Sequence, residues 1–382
     1  MTASVQRVAV IGAGLVGSSI ALAIQDVGAG EVALVDVDPH VRVRAQELGV
    51  AFRVLADVAA AVHDADLVIA AVPAGAVPEV LLAAAEAAPP GAILTDAASL
   101  KTDSTLDVTS RLKEADARPE RFVGGHPMAG SERSGPEAAD ARLFQGATWV
   151  LTPTASTADA TLTVLSAFLR RLGARVVALP PQQHDELVAV VSHLPQVVAS
   201  ALAAVAADAI EVTGDAVLAV AGGGFRDTTR IAASDPALWL PILAGNRVAV
   251  LEALDAYTER LRQVRASVAE ERWDELGTVL RRASAARQRL VPKATPTDVV
   301  DVLVPMDDRP GQLATATTAL GAAGINVEDL ALRHAGEGGR GALLLRVAAG
   351  DRDRVAAVLA GVGLDTHVEP DVASPPGMEP SS

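Results

Sequence analysis

A short apolar run followed at once by a glycine-rich turn constrains the fold of this chain more than any other feature. Val8-Ala9-Val10-Ile11 is typical of a buried parallel strand, and Gly12-Ala13-Gly14-Leu15-Val16-Gly17 then leads into a helical stretch that ends near Asp26. In such a turn the first glycine allows the tight bend, the second lets the backbone approach a pyrophosphate, and the third lets the helix pack closely on the strand. The pattern predicts a dinucleotide-binding βαβ unit.

A carboxylate after the next apolar run indicates which dinucleotide is expected. Residues 32–35 form that run, and Asp36 follows it, nineteen residues after Gly17. A carboxylate at this point accepts hydrogen bonds from the adenosine ribose and repels the 2′-phosphate of NADP, so NAD is the expected cofactor. Asp38 is a weaker candidate for the ribose role and is expected to be solvated. The predicted cofactor-binding residues are Gly12, Gly14, Leu15, Val16, Gly17, Asp36, Val72 and Pro73.

Apolar runs and alanine-rich helical stretches continue to alternate to residue 178, which favours a doubly wound parallel sheet. Because ligands bind beyond the carboxyl ends of parallel strands, three loops are expected at one mouth of the sheet. These loops are residues 72–73, 96–101 and 124–131. We expect them to bring the Ser99 hydroxyl, the Lys101 ammonium and the His126 imidazole beside the nicotinamide.

His126 is the one titratable side chain in the loop Gly124-Gly125-His126-Pro127-Met128-Ala129-Gly130-Ser131. Histidine has an unperturbed pKa of about 6.5 and can take a proton near neutral pH. A histidine in a glycine-rich turn is by itself more often a hydrogen-bonded structural residue. Its place after a strand of a dinucleotide-binding sheet, with Ser99 on the neighbouring loop, favours a general base, and neither a nucleophile nor a metal ligand.

After Pro180-Pro181 the sequence shows helical periodicity and almost no strand-like runs, which predicts a separate α-helical domain. Apolar residues at near-heptad spacing favour a long helix that packs against a partner, so we expect a homodimer built on this domain. Burial of the stripe within one chain is the alternative. The stripe consists of Leu251, Leu254, Leu261, Val264 and Val268.

Two histidines in this domain compete for a place in the substrate cleft. His184-Asp185 and Ser192-His193-Leu194-Pro195 have their histidines nine residues apart, which puts the two rings on opposite sides of a regular helix. We therefore expect only one of them to face the cleft. His193 is favoured because Pro195 would disturb the helix beside it, and a part for His184 and Asp185 in a network near the cleft is left open.

A glycine-rich segment, Gly222-Gly223-Gly224-Phe225-Arg226-Asp227-Thr228-Thr229-Arg230, carries two guanidinium groups. Arginine forms bidentate hydrogen bonds with carboxylates, so the segment implies an acidic substrate. A surface salt bridge to Asp227 or Asp235 is the alternative, and it is the stronger alternative for Arg226 than for Arg230.

The remaining sequence predicts a third, smaller domain. A linker rich in Pro and Thr ends near residue 298, and a compact βαββαβ pattern follows it. The expected domains are residues 1–178 for dinucleotide binding, 179–291 for substrate binding and dimerisation, and 298–370 for regulation. Residues 371–382 are rich in Pro, Ser, Gly and Glu and are expected to be a disordered tail.

The composition excludes several classes of function. A net charge of −15 at pH 7 argues against nucleic acid or an anionic membrane as the main partner. No cysteine occurs, so disulfides, zinc–thiolate sites, iron–sulfur clusters and thiol nucleophiles are excluded, and no metal is expected. We expect no signal peptide and no apolar run of the ~20 residues that span a bilayer, so the expected location is the cytoplasm.

Taken together, these motifs resemble a known enzyme family. The GxGxxG turn, the Asp96…Ser99…Lys101 loop, the His126 loop, Ser192-His193-Leu194-Pro195 and Thr229-Arg230-Ile231-Ala232 are similar to the motif series of bacterial prephenate dehydrogenases. The likeness covers residues 5 to 290. Asp308-Arg309-Pro310-Gly311-Gln312-Leu313 and Gly324-Ile325-Asn326-Val327 resemble an ACT domain, an amino-acid-sensing module.

The resemblance implies a reaction and a set of roles. The family carries out oxidative decarboxylation of prephenate to 4-hydroxyphenylpyruvate, with hydride passing from ring C4 to NAD. His126 would accept the proton of the C4 hydroxyl, and Ser99 would orient His126 or share that hydroxyl. His193 would position the substrate, Arg230 would bind one of its carboxylates, and Ser131 would lie near its side chain. The carboxylate that Arg230 holds is left open.

The resemblance also implies regulation and leaves rival functions. In the ACT domain, Gly311 and Asn326 are the candidates for binding an amino acid effector, with tyrosine expected as the feedback inhibitor. The close alternative is an arogenate dehydrogenase that forms tyrosine directly. More distant alternatives are a hydroxyacid dehydrogenase of the phosphoglycerate type and a non-catalytic sensor of NAD and amino acids.

Overall fold

The computed structural model describes residues 5–130, 133–214, 216–290, 299–306, 312–325, 327–333 and 341–368. The chain divides into two compact units, Met1–Arg262 and Gln263–Ser382. The division falls within one long helix, and the expected domain bounds at residues 178 and 291 stay predictions. Ser131, Gly311 and Asn326 lie outside the described residues, as do residues 291–298 of the expected linker and the expected tail, 371–382.

The first unit contains an eight-stranded sheet with the strand order β3-β2-β1-β4-β5-β6-β7-β8. The first six strands are parallel, β7 runs antiparallel to β6, and β8 is parallel to β7. The doubly wound sheet is confirmed, with the difference that its last two strands are reversed. The strands are β1 (Arg7–Ile11), β2 (Glu31–Val35), β3 (Arg53–Leu55), β4 (Leu67–Ala70), β5 (Ile93–Asp96), β6 (Phe122–Pro127), β7 (Thr148–Thr152) and β8 (Arg175–Ala178).

Helices cover both faces of this sheet, because the central strands are apolar on both sides. Ile20, Ile24 and Leu165 belong to the core on one face, and Leu81 and Leu112 belong to the core on the other. The helices are α1 (Leu15–Asp26), α2 (Pro39–Glu47), α3 (Val58–Val62), α4 (Val77–Ala87), α5 (Thr102–Glu114) and α6 (Asp159–Arg171).

His126 lies within strand β6 and not in a loop beyond it, which corrects the expectation from sequence. After Val123, β6 leaves β5 and pairs with β7, where His126 faces Val150 across the ladder. Two glycines make this path possible. A Cβ at Gly124 would lie 2.5 Å from two threonine hydroxyl oxygens, and a Cβ at Gly125 would lie 2.5 Å from the carbonyl oxygen of Asp96.

A helical region follows the sheet, as the periodicity predicted. A small apolar core formed by Ala189, Val250 and Ala253 holds part of this region together. The segments are α7 (Pro181–Val188), a π-helical turn (Ala189–His193), α8 (Leu194–Thr213), α9 (Ala216–Val220), α10 (Gly223–Thr229), a 3-10 turn (Arg230–Ala233), α11 (Pro236–Gly245), α12 (Arg247–Ala269) and, in the second unit, α13 (Trp273–Leu290).

The helical run Pro181–Thr213 is long and apolar enough to cross a membrane, judged by length and composition. The expectation that no apolar run approaches this length was therefore wrong. Ser192, His193 and Pro195 interrupt the apolar sequence, but the helical run continues through them. The same run carries buried His184, Asp185 and His193, so in this fold it contributes polar side chains to an internal cluster.

The second unit contains the expected βαββαβ module. Its four strands form an antiparallel sheet with the order β10-β11-β9-β12, and Val302, Leu320, Leu345 and Val355 are among its core residues. The elements are β9 (Val299–Met306), α14 (Gln312–Ala322), β10 (Val327–Arg333), β11 (Gly341–Ala348), α15 (Arg352–Gly361) and β12 (His367–Val368).

Candidate active site

The three glycines of the first turn differ in what surrounds them, and the differences match a dinucleotide site. Gly12 has φ +103°, and a Cβ there would collide with the carbonyl oxygen of Ala71. A Cβ at Gly17 would collide with the carbonyl oxygen of Gly12, so this glycine allows α1 to pack on β1. A Cβ at Gly14 would meet no heavy atom of the described residues within 4 Å. Gly14 therefore faces open space at the N-terminus of α1, where backbone N–H groups bind a pyrophosphate.

Asp36 is held beside this turn by two backbone groups. Its Oδ2 accepts a hydrogen bond from the Ala13 N–H at 2.8 Å, and its Oδ1 accepts one from the Asp38 N–H at 2.9 Å. Each oxygen keeps a lone pair for a ribose hydroxyl. Asp38 is exposed, as expected, and it caps α2 by accepting a hydrogen bond from the His40 N–H at 2.8 Å.

The other predicted cofactor residues lie near the same turn. Val72 follows β4, and its Cγ1 lies 3.2 Å from the position of a Cβ on Gly12. Leu15 and Val16 begin α1 and are half-buried, and Pro73 is exposed just after Val72. The residues present fit NAD at this mouth of the sheet.

His126, His184 and Asp185 form a hydrogen-bonded series, here called the His126 triad. Nδ1 of His126 lies 2.8 Å from Nε2 of His184, and Nδ1 of His184 lies 2.8 Å from Oδ1 of Asp185. Asp185 accepts two further hydrogen bonds, from the Lys101 N–H at 2.9 Å and from the Thr102 N–H at 2.7 Å. These N–H groups begin α5, where the helix dipole favours a negative charge. Asp185, which lies on α7, thus caps the N-terminus of α5, and this fixes the last member of the His126 triad.

The direction of each hydrogen bond in the His126 triad follows from Asp185. Burial by itself would raise the pKa of Asp185, but the hydrogen bonds from His184, Thr102 and Lys101 outweigh burial and lower that pKa. The ionised carboxylate can only accept, so Nδ1 of His184 donates to it. Nε2 of His184 then accepts from Nδ1–H of His126, and Nε2 of His126 carries the free lone pair.

The surroundings of His126 keep this lone pair available near neutral pH. Burial holds the pKa of His126 well below its ordinary value of 6.5, and His184, Lys101 and His193 lower it further, while Asp185 opposes them. The imidazole is therefore neutral and able to accept a proton. Asp185 at the far end stabilises the imidazolium that forms when it does.

Lys101 does not face the mouth, and the expectation that its ammonium lies beside the nicotinamide is wrong. Its side chain is fully buried and forms an ion pair with Asp96. Asp96 also accepts hydrogen bonds from the N–H groups of Ala98 at 3.1 Å and Gly125 at 3.0 Å. A buried carboxylate at the end of β5 needs a counter-ion, and Lys101 meets that need. The pair thus ties the loop after β5 to β6 just before His126.

His193 joins the same cluster from the other side. Its Nδ1 lies 3.2 Å from Nδ2 of Asn246, and Asn246 Nδ2 also donates to the carbonyl oxygen of Asp185 at 2.8 Å. The ring of Trp239 packs edge-on against His193, with 6.1 Å between ring centroids. Burial lowers the pKa of His193, and His184 adds to this, while Asp185 opposes it.

The expectation that His184 and His193 could not share a cleft is wrong because the helix between them is not regular. Residues Ala189–His193 form a π-helical turn, in which each residue rotates the chain by less than in an α-helix. Pro195 has no N–H to donate back to residue 191, which favours such a wide turn before it. Asp185 links both rings, through its carboxylate to His184 and through its carbonyl oxygen to Asn246 and His193.

Ser99, Arg230 and Ser131 are the remaining predicted site residues, and Ser131 lies outside the described residues. Ser99 is half-buried on the loop after β5, and Nδ1 of His126 is paired with Nε2 of His184. Arg230 begins the 3-10 turn Arg230–Ala233, which packs on α8, and it is exposed. The roles of Ser99, Arg230 and Ser131 stay predictions.

Sequence reasoning missed Asn246 and left His184 and Asp185 open. Asn246 lies at the break between α11 and α12 and is buried. One signal could have indicated it, a lone amide side chain at a helix break within an apolar stretch. A buried amide at such a point must find partners for its donors.

Comparisons with known proteins identify the family of the chain. Residues 20–178 match the family model for the nucleotide-binding domain of prephenate dehydrogenase, residues 180–282 match its dimerization domain, and residues 300–360 match the ACT domain. The cyclohexadienyl dehydrogenase of Zymomonas mobilis is 33% identical over 289 residues, which cover 75% of this chain and 96% of that protein. The prephenate dehydrogenase of Bacillus subtilis is 32% identical over 326 residues, which cover 84% of this chain and 86% of that protein.

Solved structures give the same result. The prephenate dehydrogenase from Aquifex aeolicus, in complex with hydroxyphenyl propionate and NAD+, has a TM-score of 0.67 and 29% identity, covering 76% of this chain and all of that chain (100%). Arogenate dehydrogenase from Synechocystis has a TM-score of 0.64 and 28% identity, covering 75% of this chain and 100% of that chain. The chain belongs to the prephenate dehydrogenase family and carries an ACT domain after the dimerization domain.

Proposed function

We propose that this chain catalyses the NAD-dependent oxidative decarboxylation of prephenate to 4-hydroxyphenylpyruvate, a step of tyrosine biosynthesis. The observation that carries the proposal is the His126 triad, which lies at the carboxyl end of a sheet that has a dinucleotide turn. This triad supplies a neutral base with one free nitrogen. A dehydrogenation that removes a hydroxyl proton needs such a base.

The site residues of this protein have separate roles in the reaction. NAD, when bound, supplies the acceptor for the hydride that leaves ring C4. Nε2 of His126 accepts the proton of the C4 hydroxyl as the C4–H bond breaks. The electrons of the carboxylate C–C bond then complete the aromatic ring as CO₂ leaves, and the ring oxygen takes the proton back from His126. General-base assistance of this kind contributes about 10²–10⁴ in rate. Arg230, Ser99 and Ser131 are proposed to hold the substrate, with Arg230 on a carboxylate.

The direct test measures NADH formation by the purified full chain with prephenate and, separately, with arogenate. We expect NADH and CO₂ from prephenate in equal amounts. Turnover of arogenate alone would make the chain an arogenate dehydrogenase. Absence of NADH with both substrates, for a protein that binds NAD, would replace the enzyme by a non-catalytic sensor.

We propose tyrosine as the effector of the ACT domain, with Gly311 and Asn326 in its site. The support is the match of residues 300–360 to the ACT model, and a product of the pathway is the expected feedback signal. We expect millimolar tyrosine to slow prephenate turnover severalfold. If tyrosine neither binds in calorimetry nor changes the rate, the proposed effector is wrong.

We propose that the enzyme is a homodimer through its helical region and acts in the cytoplasm. The support for the dimer is an apolar surface that one chain leaves uncovered, with Val191 at 61%, Val205 at 65% and Val212 at 85% exposure along the run Pro181–Thr213. Large exposed apolar surfaces mark interaction sites. Sedimentation equilibrium is expected to give twice the monomer mass of 39.0 kDa, and a monomer at micromolar concentration would contradict this.

A further inference from the structure

The amide of Asn246 has a fixed orientation, because one of its partners can only accept. Its Nδ2 lies 2.8 Å from the backbone carbonyl oxygen of Asp185. A carbonyl oxygen has no proton to give, so the atom facing it must be the NH₂ group. The neighbouring carbonyl therefore decides which side of the amide is the nitrogen.

The same NH₂ group decides the tautomer of His193. Nδ1 of His193 lies 3.2 Å from Nδ2 of Asn246, and two N–H groups facing each other would repel. Nδ1 therefore accepts, and the single ring proton is on Nε2. Burial lowers the pKa of His193, which agrees with a neutral ring in this place. Among the described residues, Nε2 of His193 has no hydrogen-bond partner.

Asp185 thus gives the two site histidines opposite characters. Its carboxylate leaves Nε2 of His126 as an acceptor, through His184. Its backbone carbonyl leaves Nε2 of His193 as a donor, through Asn246. The first suits a hydroxyl that loses its proton, and the second suits an oxygen that has only lone pairs.

We propose that Asn246 determines substrate specificity by holding Nε2–H of His193 as a donor for the side-chain ketone of prephenate. This inference rests on the proposed function. Arogenate carries an ammonium group where prephenate carries the ketone, and an ammonium group offers only donors. A site with a fixed donor leaves that ammonium group unpaired, and such mismatches produce large discrimination between substrates. Asn246 acts through His193 and is a positioning residue.

The test compares kcat/KM for prephenate and for arogenate in the wild-type enzyme and in Asn246→Asp, with NAD saturating. A carboxylate at residue 246 loses the hydrogen bond to the Asp185 carbonyl oxygen, which lowers both kcat/KM values. It also accepts from Nδ1–H of His193, so Nε2 becomes an acceptor with a negative charge behind it. We expect the wild type to prefer prephenate by at least ~10-fold, and the variant to shift the ratio of the two kcat/KM values toward arogenate by ~10-fold or more. A merely structural role would lower both values equally, and an unchanged ratio in a folded variant overturns the inference.

A second measurement does not depend on the variant. The ¹⁵N spectrum of the histidine-labelled wild-type enzyme with NAD reports which ring nitrogen of His193 carries the proton. We expect the proton on Nε2, and a proton on Nδ1 overturns the inference even where Asn246→Asp fails to fold. Failure of the proposed function is distinct from both outcomes, since the wild type would then form no NADH with either substrate.

Discussion

Replacing His126 by asparagine is expected to lower kcat by about 10²–10⁴-fold while NAD still binds. The imidazole is the proposed base for the C4 hydroxyl proton, and an amide cannot take up a proton near neutral pH. Asparagine can keep a hydrogen bond to Nε2 of His184, which faces Nδ1 of His126 at 2.8 Å, so the fold around the site should persist. Steady-state rates with prephenate and the binding of NADH by fluorescence measure the two effects separately.

His63 offers a matched control for this change. It is exposed, and its Nδ1 contacts only local groups, lying 3.0 Å from the Ala60 carbonyl oxygen and 3.7 Å from Asp64. His63→Asn is expected to leave kcat unchanged. If His126→Asn kept its rate within about threefold of the wild type, His126 could not be the general base, because base catalysis contributes far more than that.

The dinucleotide turn could be predicted in detail because its strand, glycines and helix follow one another within a few residues. Gly17 meets the carbonyl oxygen of Gly12 five residues earlier, and Gly14 lies at the N-terminus of α1, while the contact of Gly12 with Ala71 needed the fold. The βαββαβ module was predictable for a similar reason, since its apolar runs and helices alternate over short distances. Strand direction was not predictable in the same way. An apolar run at 148–152 fits a parallel or an antiparallel neighbour equally well, and only the tertiary pairing reverses β7.

The polar cluster was harder to predict because its contacts join residues far apart in the chain. His126 and His184 are 58 residues apart, and Asn246 lies 61 residues from Asp185. A helical phase argument separated His184 from His193, but it assumed a regular helix where the chain forms a π-helical turn. Lys101 was expected at the surface of the mouth, and the buried carboxylate of Asp96 draws it inward instead. The sequence predicted His126 as the base, while the residues proposed to set its protonation could be found only from the fold.

Replacing Asp185 by asparagine is expected to lower kcat by about 10²-fold or more, because the last residue of the His126 triad loses its negative charge. Oδ1 of Asp185 accepts from both His184 and the Lys101 N–H, and Oδ2 accepts from the Thr102 N–H. An amide can supply only one oxygen, so in either orientation its NH₂ group faces a backbone N–H. The imidazolium of His126 also loses the negative charge that stabilises it. Stopped-flow measurement of the hydride step isolates this loss from product release.

The pH profile distinguishes this effect from simple damage to the fold. The reaction needs neutral His126, so the rate falls as pH drops through the pKa of His126, which burial already holds well below 6.5. Asp185 opposes that lowering, and its loss should move the acid limb of kcat/KM to still lower pH while the maximum rate falls. Glu186→Gln is the matched control, since it removes the same charge from an exposed neighbour on α7. A lower rate with an unmoved acid limb in Asp185→Asn would mean that the carboxylate only caps α5 and does not act on the base.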